Sequence, residues 1–195
     1  MGRDFPSLPL FARAAPAWRC MFWQCSDFSV MLSQGAMAEA GMDGRGDFDF
    51  EEGDWTVQHR RLVTRLAGAQ DWQSFAGTSR MQRVMGGLGN VEDNLLHLPA
   101  GDYRALALRT FDPATGLWAI WWVDGRNPHV LDVPVTGRFV DGVGRFRAED
   151  HFQGRPIVVE FEWRQTADGP RWQQAFSADG GQSWEVNWIM EFRRA

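Results

Sequence analysis

Tryptophan placement constrains this chain more than any other feature. Nine of its eleven tryptophans fall between Trp55 and Trp188, nearly all in short segments where apolar and polar residues alternate. Clusters of Gly, Asp and Pro separate those segments. A period of two sends successive side chains to opposite faces of a strand, so each segment presents an aromatic face and a wet face. With no sustained helical period between the segments, a βαβ nucleotide fold is excluded. Closing one antiparallel sheet on itself would bury the aromatic faces and remove the edges that invite aggregation. The expectation is an all-β protein: a single up-and-down barrel of about ten strands, with an N-terminal extension.

Individual segments sharpen that expectation. Trp55 to Val63 places Trp55, Val57, His59, Arg61 and Val63 on one face. Trp72 to Met85 is a long strand interrupted by Gly77, read as a bend or bulge that helps the sheet close. Asp112-Pro113-Ala114-Thr115-Gly116 predicts a hairpin loop, because Pro fixes φ and Gly tolerates positive φ. Leu117 to Asp124 is apolar on both faces, with Trp118, Ile120 and Trp122 opposite Ala119, Trp121 and Val123. Such a strand is covered on both sides, by the lumen on one and by a flap on the other, for which Arg126 to Pro134 is the candidate. In the last strand, Trp184, Val186, Trp188, Met190 and Phe192 are expected to share a face.

Residues 1–46 differ in texture and are read as a poorly ordered or loosely helical extension, leaving 47–195 as the barrel domain. Trp18 to Leu32 could form a loosely amphipathic helix, and Gly41 to Gly46 reads as a linker. Asp4, Arg13, Arg19 and Asp27 interrupt every apolar run, which argues against a signal peptide. No run approaches the ~18 apolar residues of a membrane span. Cys20 and Cys25 lack a second ligand pair for zinc and suit a reducing cytoplasm. A net charge of −5, with no lysine in the chain, argues against nucleic acid as partner.

Few motifs carry chemistry. Ser177 to Trp184 matches the Asp-box pattern S-x-D-G-G-x-[ST]-W, which predicts a hairpin held by Asp179 and Gly180 over Trp184. Gly86-Gly87-Leu88-Gly89-Asn90 is a turn, since a phosphate loop needs a lysine. The four histidines show no metal-ligand spacing, and no metal site is expected. His59 shares a face with Trp55 and Arg61, which makes it the one candidate general acid or base. Arg109 lies on the Tyr103, Ala105, Ala107 and Phe111 face. There it must pair with a carboxylate or meet an anionic ligand, unless the face turns outward. Gln174 and Asn187 are candidates for the few polar groups that orient a ligand in an apolar pocket.

Several stretches resemble a known family. Asp47-Phe48-Asp49-Phe50, the run from Gly53 to Leu62, Gly86 to Asn90, Phe111 to Thr115, and Trp172 to Trp188 with its Asn187-Trp188-Ile189-Met190 ending resemble the bacterial family called domain of unknown function 1579. The resemblance spans about Asp47 to Arg194. It implies a calycin-type, lipocalin-like barrel and transfers no activity. In calycins the Trp of Gly-x-Trp, here Gly53 and Trp55, plugs the closed end under a basic residue of the last strand, for which Arg193 or Arg194 would serve. A more distant similarity is to nitrobindins, ten-stranded barrels that hold haem. Their repeated glycines are absent after Trp55 and no histidine follows His151, so no cofactor is expected.

The leading functional expectation is a non-catalytic barrel that binds a small hydrophobic or amphipathic ligand in its lumen. Trp118, Trp122, Trp172 and Trp188 would form the wall, with His59, Arg109, Gln174 and Asn187 as polar groups. One alternative is an isomerase or cyclase that uses His59 on a hydrophobic substrate. The other is a filled barrel serving as a homodimerising scaffold.

Overall fold

Alternation along each strand decides which side chains the sheet encloses. The protein is represented by a computed structural model that describes residues 43–195; the helix expected over Trp18 to Leu32 and the two cysteines lie outside them. Ten antiparallel strands follow in order: β1 (Gly53–Leu62), β2 (Trp72–Val84), β3 (Gly89–Leu98), β4 (Gly101–Asp112), β5 (Leu117–Asp124), β6 (Val135–Val140), β7 (Val143–Phe152), β8 (Arg155–Thr166), β9 (Gly169–Ser177) and β10 (Glu185–Arg194). Each pairs with its neighbours in sequence, and β1 pairs with β10 to close the barrel. No helix among the described residues is long and apolar enough to cross a membrane.

One end is sealed by the chain that precedes β1. A single 3-10 turn, Asp49–Glu51, carries Phe48 into the barrel, where its ring meets Trp118 at 5.0 Å and Phe139 at 5.1 Å, both edge-on. Trp55 packs beside this turn and donates its indole N–H to the Glu51 carbonyl at 2.6 Å. Arg194 of β10 lies 3.9 Å over the Trp55 ring and donates to the Glu52 carbonyl. Gly53 is needed here on two counts. Its φ is +114°, and a Cβ would stand 2.5 Å from Arg194 Nη1. The linker expected up to Gly46 is anchored from Gly44 onward, because Trp118 Nε1 donates to the Gly44 carbonyl at 3.1 Å.

Two local expectations are corrected. Gly77 makes no bulge: β2 stays in register through it, with Val57 and Leu96 as its partners on either side. It is glycine because a Cβ would stand 2.6 Å from the Leu95 carbonyl oxygen and 2.7 Å from His59 Nε2. The irregularity falls instead in β10. There Val186 pairs with Ala175 but Trp188 with Gln174, so Asn187 is an extra residue between them. The bulge turns Val186 away from the face it was expected to share with Trp188.

The other end opens at β5. Only Trp118, Ala119 and Ile120 pair with β6, so Trp121 to Asp124 are held by β4 alone. Residues 126–134, expected as a flap, run along this gap. The Asp132 N–H reaches the Trp122 carbonyl at 3.3 Å, while Val130 and Leu131 are exposed.

Candidate functional site

Inward side chains fill the barrel unevenly. Towards the sealed end, Phe48, Trp118, Phe146, Trp163 and Phe192 leave no room. Towards the open end there is a cavity of about 300 Å3, at the small end of the range of ligand pockets. Its apolar floor comes from Trp122, Trp172 and Trp188, with Ile120, Phe161 and Phe176 around them. Trp188 stands edge-on to both partners, 5.5 Å from Trp172 and 5.9 Å from Trp122. The rim is polar, with Arg61, Arg65 and Arg126 facing Asp124, Asp132, Asp150 and His151.

The structure therefore gathers part of the expected site. Trp122, Trp172, Trp188 and Gln174 line the cavity together. Gln174 is held from behind by Asn187, whose Oδ1 accepts from Gln174 Nε2 at 2.7 Å. Asn187 is fully buried and reaches Gln174 only because of the bulge. Trp118 does not line the cavity: it packs on Phe48 and Phe111 near the sealed end.

His59 points inward but stands behind the cavity wall. Its ring stacks on Phe75 at 4.6 Å, and Nδ1 accepts the Trp188 indole N–H at 3.3 Å. Nε2 occupies the space a side chain at position 77 would need. Burial lowers its pKa from 6.5 to about 4, Arg61 adding to the effect and Glu92 opposing it. Folded His59 is thus neutral, and its contribution to stability is present above 6.5 and lost as the pH falls through about 4. The loss amounts to on the order of 3 kcal/mol. Urea unfolding from pH 7 to pH 4 should show this loss in the wild type and not in His59→Gln. Parallel profiles for the two proteins would show that His59 does not titrate in this way.

Arg109 is buried at the far side of the floor. Nη1 donates to Asn90 Oδ1 at 2.9 Å, Nη2 to Glu51 Oε1 at 3.2 Å, and Nη2 also meets Glu92 Oε2. Ser79 donates to the other Glu92 oxygen at 2.8 Å. The guanidinium is sandwiched between Phe48 at 4.7 Å and Trp163 at 4.9 Å. Two carboxylates around one cation cannot both ionise cheaply in such a place. Burial, with Glu92 adding and Arg109 opposing, pushes Glu51 well above the ordinary carboxyl value. For Glu92 burial acts upward too, yet Arg109 and hydrogen bonds from Glu51 and Ser79 win and hold it low. Glu51 Oε2 lies 3.0 Å from Arg109 Nη1 but makes no hydrogen bond to it. Burial and pairing thus favour the protonated form of Glu51 and the ionised form of Glu92. Arg109 gives both Nη atoms to protein groups while Nε has none, and it borders a small void of about 20 Å3 lined also by Trp122, Phe161 and Trp172 of the cavity floor.

Glu51, Glu92, Arg61 and Arg65 were missed in the sequence. Glu92 had a signal, since it alternates with Asn90, Asn94 and Leu96, all of which face inward. Arg61 was placed on the inward face but given no role. The Asp-box hairpin is self-contained. Asp179 accepts the Gln182 and Ser183 N–H groups at 3.0 and 2.9 Å and the Ser183 hydroxyl at 2.5 Å. Those bonds hold its carboxyl far below the usual range. Gly180 takes φ +71°, and Trp184 closes the turn by donating to the Gly181 carbonyl.

No group of three or more potential metal ligands occurs among the described residues. A haem does not fit them either. His59 Nδ1 already accepts the Trp188 indole N–H and its Nε2 lies against the backbone at Gly77, while His151 is exposed on the rim between Asp150 and Phe152. Compared with models of known protein families the chain matches none, and no curated protein matches it.

Proposed function

We propose that this barrel binds a small apolar or amphipathic ligand in its open-end cavity and does no chemistry on it. The observation that carries this reading is the three-tryptophan floor beneath a polar rim, with Gln174 held in place by Asn187. Aromatic walls supply affinity through buried area, roughly 25 cal/mol per Å2 removed from water, while a fixed amide orients the ligand. The isomerase reading is the weaker one because His59, its acid or base, already accepts the Trp188 N–H and offers nothing to the cavity. The filled-scaffold reading fits the sealed half of the lumen but not the open half. Membership in the family of domain of unknown function 1579, with its calycin-type ancestry, and residence in the cytoplasm belong to the same proposal.

Tryptophan fluorescence tests it directly. N-phenyl-1-naphthylamine, a neutral apolar probe, should quench the full-length protein and be retained in native mass spectrometry. Trp122→Ala should weaken that binding about tenfold or more, the equivalent of one aromatic face lost from the floor. Its cost in stability should be smaller than that of Trp118→Ala, for which about 3–5 kcal/mol is expected of a buried aromatic. Absence of quenching and of a retained mass would overturn the proposal.

A further inference from the structure

The cavity rim holds two guanidiniums that make no ion pair. Arg61, on the inward face of β1 opposite Trp188, lies 5.2 Å over the Trp188 ring and 5.5 Å over Phe75. Arg65, in the loop after β1, lies 5.7 Å over Phe176 and 5.8 Å over Phe152. Both line the cavity. Among the described residues neither makes an ion pair. Glu185, the carboxylate whose charge bears on Arg65, is already bound to the Leu66 N–H at 2.6 Å.

The remaining rim charges complete them only in part: Arg61 bears on the Asp124 carboxylate and the Tyr103 hydroxyl, but makes no ion pair with Asp124. Arg126 and Asp124 satisfy each other at 2.5 Å, with Arg126 stacked 3.9 Å over Tyr103. Asp132 shares the rim with Asp150 and Asp124, and burial, with the like charge of both, raises the Asp132 pKa. Arg65 feels Arg61 as a like charge, and burial with that neighbour lowers its pKa. Half-buried like charges above an apolar floor are costly unless something of opposite sign joins them. A guanidinium offers planar paired donors suited to a carboxylate, sulfonate or phosphate.

We infer that the ligand is an amphipathic anion whose charged head sits between Arg61 and Arg65 while its apolar body lies on Trp122, Trp172 and Trp188. The inference rests on the binding reading above and specifies its ligand class. The ring-stacked arginines hold the head at the rim, and a cavity of about 300 Å3 limits the body to a short chain or a small ring system.

Displacement of N-phenyl-1-naphthylamine from the full-length protein separates head from body. Decanoate, 1-decanol and decyltrimethylammonium share one chain and differ in head charge. Decanoate should displace the probe at a concentration at least about tenfold lower than decanol, one charge-assisted contact's worth. In an Arg61→Gln, Arg65→Gln double variant that preference, taken as the ratio of decanoate to decanol displacement within the same protein, should fall to within about twofold. The single variants, each losing part of the preference, serve if the double variant fails to fold. Equal displacement by decanoate and decanol, or a preference surviving the substitutions, would overturn the anion assignment and leave the cavity reading intact. Stronger displacement by decyltrimethylammonium would overturn it in favour of the Asp132 and Asp150 side. Failure of the neutral probe to bind the wild type would instead overturn the cavity reading, and this inference with it.

Discussion

Replacing Arg109 with Met should destabilise the barrel by about 3–5 kcal/mol, read as a fall in the urea midpoint at unchanged slope. Methionine keeps much of the side-chain volume, so the loss comes from leaving the Glu92 carboxylate buried without a cation, with only Ser79 and Glu51 as partners. The informative comparison is with the two acids. Glu51→Gln should change stability little below about pH 4.5, where glutamine resembles the protonated acid, and should be the more stable protein at neutral pH, where the wild-type acid ionises on unfolding. Glu92→Gln should be costly, since it leaves Arg109 without its ionised partner. The pH dependence follows from opposite shifts. Glu51, raised, contributes stability that is complete below its ordinary value of 4.5 and declines as the pH rises towards its folded pKa. Glu92, lowered, contributes stability that is present above 4.5 and is lost as the pH falls below it. Between those limits the wild type should lose ground to Glu51→Gln by up to about 1.4 kcal/mol per pH unit. Equal, large losses in both glutamine variants would show that both acids are ionised in the folded protein.

Phe48→Ala should cost a comparable amount, about 3–5 kcal/mol. Phe48 is almost fully buried and touches Trp118, Phe139, Phe146 and Trp163, as well as the Arg109 guanidinium. Removing its ring would open a void beside the ion cluster and loosen the turn that carries Glu51. Water admitted there would weaken the cluster as well, so Phe48→Ala and Arg109→Met should be non-additive when combined. If instead the two costs add, the plug and the cluster are energetically separate. Neither substitution touches the open-end cavity. Both should therefore leave binding of the neutral probe unchanged in the fraction that remains folded.

Much of this architecture was legible from local pattern. Alternation places Trp122, Trp163, Trp172 and Trp188 inside without reference to any distant residue, because a strand's side-chain period is set by its own backbone. The turn residues between segments carried the strand count, and Ser177 to Trp184 carried its hairpin. Local pattern failed where one residue shifts the count. At Asn187 a single inserted residue reverses the face of everything before it. Nothing in Glu185-Val186-Asn187-Trp188 distinguishes a bulge from a regular strand.

The sequence by itself determined that this protein is a closed antiparallel barrel with an aromatic interior, since periodicity and turn chemistry act over a few residues. Tertiary structure alone decided which half of that interior is full. Phe48 and Glu51 come from a turn outside the sheet and reach Arg109 only once β1 and β4 are placed in the same barrel. The open end depends likewise on β5 parting from β6 after Ile120. It also depends on Arg61 and Arg65 meeting rings of β7, β9 and β10. Burial and ion pairing depend on which side chains meet across strands. That meeting is set by register and closure, which no single segment of the chain contains.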